Sequence, residues 1–378
     1  IMVNGDPDAD GITGTAVLVA GLRYLGGQVL YDFPTRSKEG HGIQPRIINE
    51  AIKEGCKLLI TADCGTKDVE TTEYATSLGL DVIICDHHIL GRKLPNAFAF
   101  VNPQRCQPSN CQALSGSGVA FKLIVALFQH LKQDIPNDLL DYLLALASLG
   151  TISDRMSILD PTNRIIVKRG IEAINRTQMK GLKALKEISA DGIQELRSRD
   201  IPRTIVPRLN APGRIGDREE GIPDASLVVD LLLIGIDQNK DEGSRMAEVI
   251  KKFSYVLDLS RNSRAQNTAD SASVINEAST VDDVNEKRKY MTSKIEDEID
   301  LLIQSQVNSN EDKIIIIRGH NWNPGVIGID TDRLKDRFLR PAVILTEFSG
   351  NDYIRGSARS IPLIDIYGII DTVGDRFE

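Results

Sequence analysis

The sequence lacks what would place it in a membrane, a disulfide scaffold or a zinc fold. No apolar run in its 378 residues approaches the roughly eighteen of a membrane helix, and the first residues lack the basic-then-apolar form of a signal peptide. A cytoplasmic location is the expectation. Cysteine is scarce: Cys56, Cys64, Cys85, Cys106 and Cys111 are odd in number, which favours reduced thiols over a framework of bridges. Cys106 and Cys111 near His130 fit no common zinc spacing. A generally basic surface is missing too. With 45 Lys and Arg against 53 Asp and Glu, the formal charge of −8 argues against nucleic-acid binding by bulk charge, though not by a local positive groove. Basic groups do gather, at Arg197, Arg199, Arg203, Arg208 and Arg214 and again at Arg333, Lys335, Arg337 and Arg340. The second group is interleaved with Asp330, Asp332 and Asp336, as on a solvated helix face.

What is present in quantity is aspartate at the ends of apolar runs. In LDVIICDHHIL (Leu80 to Leu90) a strand buried on both faces stops abruptly at Asp86, His87 and His88. Ligand sites of open α/β sheets lie at such C-terminal strand ends. Alone, this triplet reads more readily as a surface turn with two solvated histidines. Two further stretches alter the balance. After Ile1-Met2-Val3, the run Asn4-Gly5-Asp6-Pro7-Asp8-Ala9-Asp10-Gly11 sets three acids at alternate positions, which extended backbone would project to one side before Gly11 turns the chain into a helix. An N-cap with a solvated acidic turn is the plainer alternative. A calcium loop of the EF-hand kind is disfavoured, because Val17 stands where its bidentate Glu belongs. In KLLITADCG (Lys57 to Gly65), Asp63 follows a short apolar strand; Asp154 follows the apolar helix-like DLLDYLLALASLGTISD, where a cap is the usual role. Asp8, Asp10, Asp63, Asp86, His87, His88 and Asp154 form an oxygen-rich set with imidazoles, suited to Mn²⁺ or Mg²⁺ more than to a thiolate-loving ion. Crowded carboxylates also require a cation or protons to coexist.

Strand and helix signals alternate over the first 155 or so residues, predicting a mostly parallel sheet. Strands are expected at 1–3, 28–32, 57–61 and 81–85, with helices near 13–25, 44–54 and 68–78, then near 117–132 and 138–148. Segment 155–216 reads as largely helical, closing on a loop that carries Arg208 and Arg214. Residues 219–310 are helical and polar, with a Ser/Asn/Asp-rich middle. A smaller α/β unit follows: a strand at 313–317, a helix at 325–337 and strands at 341–346 and 352–358. GVIG would open its helix with amides able to take a phosphate. Trp322 is either a stacking platform for a base or ordinary packing.

NGDPDADG, TADCG, CDHH and LGTISD, in that order, resemble the four acidic motifs of the DHH phosphoesterase superfamily. PTRSKEGHG, LSGSGVAFK, LASLGTISDRMSILDPTNR and PRLNAPGR resemble the stretches that link those motifs in its RecJ branch, and RGHNWNPGVIGIDTDRLKDRFLRPAVIL with IRGSARSIP resembles the DHH-associated C-terminal domain. The likeness spans nearly the whole chain. It implies a DHH domain over 1–216, a helical connector with an insertion (around 237–280) over 217–311, and a truncated C-terminal domain over 312–378. It implies a 5′ to 3′ exonuclease hydrolysing phosphodiester bonds of single-stranded DNA in repair and recombination, and leaves room for a single-stranded-DNA-binding protein or a helicase as partner.

By the same resemblance, Asp10, Asp63, His87 and Asp154 would hold one Mn²⁺ or Mg²⁺, and Asp8, with Asp63 as a bridge, a second. Water activated by the cations would attack the phosphorus in line. His88 would contact the scissile phosphate and Asp86 orient an imidazole, with Asp6 beside them; Arg36, His41, Arg208, Asn210, Arg214, Arg355, Ser357 and Arg359 would hold substrate. Two departures stand out. Asn4 takes the place of a histidine found in many superfamily members, implying a weaker second ion, and the chain stops at Arg376-Phe377-Glu378, where the family pattern continues into a Gly-His segment and, in typical bacterial RecJ, an OB-type domain. A fragment is therefore expected. Three competing classes are a small-substrate DHH phosphatase for short oligonucleotides or cyclic dinucleotides, a non-catalytic DNA-binding scaffold and, more remotely, a manganese pyrophosphatase.

Overall fold

The apolar runs read as strands do pair, and their register sets the site. The computed structural model describes residues 1–36, 38–105, 112–190, 192–217, 224–236, 281–308, 311–347 and 354–373. The expected insertion at 237–280, Cys106, Cys111 and the last three residues lie outside these. By its internal contacts the chain divides into Ile1–Val284 and Asn285–Glu378, and each unit is described by itself.

In the first unit β1 (Met2–Gly5), β2 (Leu30–Asp32), β3 (Leu58–Ala62), β4 (Asp81–Cys85) and β5 (Ala99–Val101) form one sheet in the order β2-β1-β3-β4-β5, every pairing parallel. Because side chains alternate across a strand, each strand serves two cores. Val3, Ile60, Ala62 and Cys85 pack with α1 (Ala9–Tyr24), α4 (Gly116–His130) and α5 (Asn137–Ser153). Met2, Leu59, Val82 and Ile84 pack with Ile47, Ile48 and Ala51 of α2 (Pro45–Lys53) and Ala75 of α3 (Val69–Ser77). Burying each such aliphatic contributes about 1.5–3 kcal/mol. Helix α1 is buried continuously from Ala9 to Gly21, and a Cβ at Gly21 would strike Ile124, so small residues let α4 seat against it. β5 has no counterpart among the expected strands: three residues on a sheet edge give too short a pattern to read.

Helix α1 also starts earlier than expected. Asp8 is its N-cap, its carboxylate accepting from the Asp10 and Gly11 amides at 2.9 and 3.1 Å, so Asp10 lies in the first helical turn. The three acids are thus not a run of extended backbone. They span a strand end, a cap and a helix, and the curl of the chain gathers them. After α6 (Pro161–Arg176) and α7 (Lys180–Ser189), the stretch expected as a closing loop is helix α8 (Ile205–Ile215), followed by α9 (Ala225–Leu232). Pro207 falls in the first turn of α8, where an amide hydrogen has no helical partner to lose.

The second unit takes in most of α10 (Val281–Gln306) and holds β6 (Ile315–His320), α11 (Pro324–Phe338), β7 (Ala342–Glu347), β8 (Ile354–Arg359) and α12 (Ile366–Val373). Its sheet is mixed: β6 and β7 run parallel, β7 and β8 antiparallel. Trp322 is 3% exposed and its indole donates to Glu298 at 2.6 Å, which makes it a packing residue rather than a stacking platform. Among the described residues no helix is long and apolar enough to cross a membrane.

Candidate metal centre

The sheet delivers its acids by one repeated device. The first residue past each central strand donates its amide to the last carbonyl of the next: Asp6 to Ala62 at 3.0 Å, Asp63 to Cys85 at 3.1 Å and Asp86 to Val101 at 3.0 Å. Three carboxylates therefore leave one sheet edge side by side. Asp63 adopts φ 64°, a left-handed conformation that non-glycine residues rarely take, and Gly65 follows at φ 105°. The turn stores strain of about 1–2 kcal/mol to aim that side chain.

Helices supply the rest. Asp10 receives the α4 amides of Gly116 (2.6 Å) and Ser117 (3.0 Å), with Ser115 as the α4 N-cap. Asp154 is the C-cap residue of α5. Glycines clear the space: a Cβ at Gly116 would overlap the Asp63 side chain, and one at Gly150 would overlap Asp10. Neither glycine was singled out from the sequence, because the need for them arises only when helices meet acids. Asn102 was missed as well; just past β5, it donates to Thr66 Oγ1 and the His88 carbonyl, both at 2.9 Å, pinning the Asp-His-His turn.

Five acids and two imidazoles converge. His87 Nε2 lies 3.1 Å from Asp63 Oδ1, 3.6 Å from Asp154 Oδ2 and 3.9 Å from Asp10 Oδ2. Ligand atoms of Asp10, His87 and Asp154 fall within 4.8 Å of one another, as do those of Asp63, His87 and His88 and those of Asp6, Asp8 and Asp63. Asp63 belongs to two of these groups. Burial, with repulsion from Asp10 and Asp8, holds Asp63 well above the usual carboxylate range. Burial and the same two neighbours push Asp154 up to about 7, and burial with Asp6 and Asp10 pushes Asp8 up to about 6. Burial also pushes the His87 imidazole down, toward the neutral form a metal ligand needs.

Whether a divalent ion suits these residues can be tested on one atom. Asp63 Oδ1 is buried with no hydrogen-bond partner, although His87 Nε2 stands 3.1 Å away. A buried carboxylate oxygen without a hydrogen-bond partner, beside an imidazole nitrogen and ringed by mutually repelling carboxylates, fits a cation of the Mn²⁺ or Mg²⁺ class. Asn4 keeps its Nδ2 3.3 Å from Cys64 Sγ, while its buried Oδ1 has no hydrogen-bond partner.

The outer residues divide. Asp86 Oδ1 accepts from the His87 and His88 amides and lies 2.8 Å from His88 Nδ1, while Oδ2 accepts from Thr66 N. The imidazole it orients is thus that of His88, which the bond carries up to about 9 against the opposing pull of burial. His41 Nδ1 is 2.8 Å from Asp6, and Arg36 lies beside His41. From α8, Asn210 Oδ1 accepts the Ala9 amide at 2.8 Å, and a Cβ at Gly213 would overlap the Pro7 carbonyl, so the PRLNAPGR stretch backs the Asp6–Asp10 turn directly. Arg208 donates to the Thr204 carbonyl of its own helix at 2.9 Å, and Arg214 is half-buried in the last turn. Arg355, Ser357 and Arg359 alternate along β8 in the second unit, where Arg359 donates to Ser357 Oγ at 3.3 Å and both approach Gly328 of α11.

Residues 1–147 match the DHH family, N-terminal domain. The chain is 35% identical over 364 residues to the single-stranded-DNA-specific exonuclease RecJ of Bacillus subtilis (strain 168), covering 96% of this chain and 39% of that relative. It is 33% identical over 375 residues to the RecJ of Salmonella typhimurium, covering 96% of this chain and 57% of the relative, so it spans well under two thirds of either. Among solved structures, exonuclease RecJ bound to manganese superposes with a TM-score of 0.70 at 27% identity, covering 99% of this chain and 81% of that one. The acidic motifs, the parallel sheet that presents them and these likenesses agree: the chain belongs to the DHH family and resembles its RecJ-type members.

Proposed function

We propose that this chain carries the catalytic part of a metal-dependent exonuclease acting on single-stranded DNA. The observation that bears most weight is the buried, unpartnered Asp63 Oδ1 facing His87 Nε2 among Asp10 and Asp154. Relatives named as single-stranded-DNA-specific exonucleases, and a RecJ structure described as bound to manganese, support the same reading. Asp10, Asp63, His87 and Asp154 would hold one Mn²⁺ or Mg²⁺, and Asp8 with Asp63 a second. Bound there, divalent ions supply an activated water and offset charge on the phosphoryl oxygens. The chain's own groups do the rest. His88, kept protonated by Asp86, donates to the scissile phosphate, and Arg36, Arg208 and Arg214 hold neighbouring phosphates. Arg355, Ser357 and Arg359 of β8 would contact substrate within the second unit. Asn210 acts through the Ala9 amide, fixing the turn that carries Asp8 and Asp10. Contacts to backbone phosphates make cleavage indifferent to sequence. In this reading residues 1–216 form the DHH domain and 312–378 its C-terminal companion, and the protein serves DNA repair and recombination in the cytoplasm.

The test is to incubate the protein and Asp63→Ala with 5′-labelled single strands, duplexes and dinucleotides, with Mn²⁺ or EDTA. Mononucleotides released from the 5′ end of long single strands, lost with EDTA and in the variant, are the expected result. Activity confined to dinucleotides would identify a phosphatase instead, and metal-independent binding without cleavage a scaffold.

A further inference from the structure

The loop between β2 and α2 ties its basic residues to the metal centre through one imidazole. His41 Nδ1 lies 2.8 Å from Asp6 Oδ1, and Arg36 Nε donates to His41 Nε2 at 3.2 Å. A guanidinium can only donate, so the ring nitrogen facing it must carry the lone pair. The proton then sits on Nδ1, where it is donated to the Asp6 carboxylate. Both contacts are satisfied by a single neutral tautomer and by no other protonation state.

Although 56% of its side chain is exposed, His41 is not left to solvent. Gly40 and Gly42 flank it at φ 86° and 80°, conformations that a side chain would strain. A Cβ at Gly42 would overlap the Asp68 carboxylate, which accepts the Ile43 amide at 2.7 Å. Gln44 Nε2 donates to the His41 carbonyl at 2.7 Å. Farther round the loop, Glu39 accepts from Thr35 N and Arg46 Nε, and Lys38 Nζ stands 2.9 Å from the buried Asp217. The loop is pinned on several sides with the imidazole held over Asp6, whose carboxylate groups with those of Asp8 and Asp63.

We propose that His41 is a positioning residue that locks Arg36 to the metal centre through Asp6, so that the guanidinium is presented to a substrate phosphate in one fixed orientation. The inference rests on the nuclease reading for the identity of that phosphate. An unanchored arginine loses rotamer freedom on binding, and anchoring its Nε settles part of that before the substrate arrives. The effect belongs to substrate binding, not to the chemical step.

Four variants and three readouts test this. Phe at 41 keeps the ring without its nitrogens, whereas Gln can donate to Asp6 and accept from Arg36. With Mn²⁺ and a 5′-phosphorylated single strand, His41→Phe is expected to raise KM by roughly tenfold with little change in kcat, and His41→Gln to recover most of the loss. Arg36→Ala combined with His41→Phe is expected to be no worse than Arg36→Ala alone, because one residue acts through the other. Independently, ¹⁵N-histidine NMR of the intact protein is expected to show His41 protonated at Nδ1 only, with its Nε2 resonance moved by Arg36→Ala. Additive losses, a lowered kcat at unchanged KM, a melting-temperature drop without rescue by Gln, or a proton on Nε2 would each overturn the proposal. A wild-type protein that neither binds nor cleaves single strands would sink the nuclease reading instead, and the NMR result would still decide the Arg36–His41–Asp6 link.

Discussion

The floor of the acidic pocket and its rim are made of the same two side chains, aspartate and histidine, and reach opposite charge states. On the floor, burial and mutual repulsion raise Asp63, Asp154 and Asp8, while burial lowers His87 among them. On the rim each carboxylate has an imidazole. Against the upward push of burial, hydrogen bonds from His88 and Thr66 hold Asp86 below the usual range, and the hydrogen bond from His41 does the same for Asp6. His87 and His88 are adjacent in sequence with ring centroids 4.8 Å apart, yet they shift in opposite directions. Whether a buried carboxylate is hydrogen-bonded to an imidazole or crowded by other carboxylates, rather than residue type, decides which groups call for a cation.

The sharpest way to break this contrast is Asp63→Asn, since asparagine tolerates a positive φ and preserves the shape. It should cut cleavage by at least about 10³-fold and abolish Mn²⁺ binding measured by calorimetry. With EDTA it should melt higher than the wild type, because the fold no longer has to keep a buried carboxyl protonated above its ordinary pKa. A variant that melts lower in EDTA would show that the floor is not under electrostatic strain.

Next in size is pH. Asp8 and Asp154, raised to about 6 and about 7, stay protonated in the metal-free fold over a window where they would ionise in the unfolded chain, whose carboxylates titrate near 4. The folded state binds more protons between those limits, so metal-free stability should fall as pH rises from about 4 through 7. Mn²⁺ competes for the same oxygens, and its affinity should weaken about tenfold per pH unit below 6 for each proton displaced. Calorimetric Mn²⁺ titrations at pH 5.5, 6.5 and 8, beside melting curves in EDTA, would expose the opposite slopes. A flat response in both would mean that these acids titrate normally.

On the rim, Asp86→Asn removes the charged partner that carries His88 up to about 9. The imidazole should return toward its ordinary value near 6.5, and kcat/KM at pH 8 should fall roughly 10- to 100-fold while Mn²⁺ affinity changes far less. An alkaline limb of the rate profile that stays where it was would remove His88 from the proposed chemistry.

Much of this could be read from residue order. Val82 to Cys85 and Leu58 to Ile60 are apolar without alternation because both faces of β3 and β4 are covered, and an acid ending such a run marks the ligand edge of a parallel sheet. Other features misled for identifiable reasons. Alternating Asp6, Asp8 and Asp10 imitate a strand, but Asp8 caps a helix whose first turn already holds Asp10. PRLNAPGR has the composition of a turn and is helix α8, because its first proline sits where no helical bond is lost. Gly116 and Gly150 look like ordinary helix glycines until Asp63 and Asp10 are found occupying the space a methyl group would need.

By itself, then, the sequence determined the parallel sheet, the strand ends that carry acids and the residue types able to hold a hard divalent ion. These follow from local patterns of apolarity and from the chemistry of single side chains. Only the tertiary structure decided which carboxylates face an imidazole and which face one another, that His88 rather than His87 leans on Asp86, and that His41 joins Arg36 to Asp6. Those outcomes depend on strand register and helix approach between residues far apart in the chain, where a shift of an ångström adds or removes a hydrogen bond.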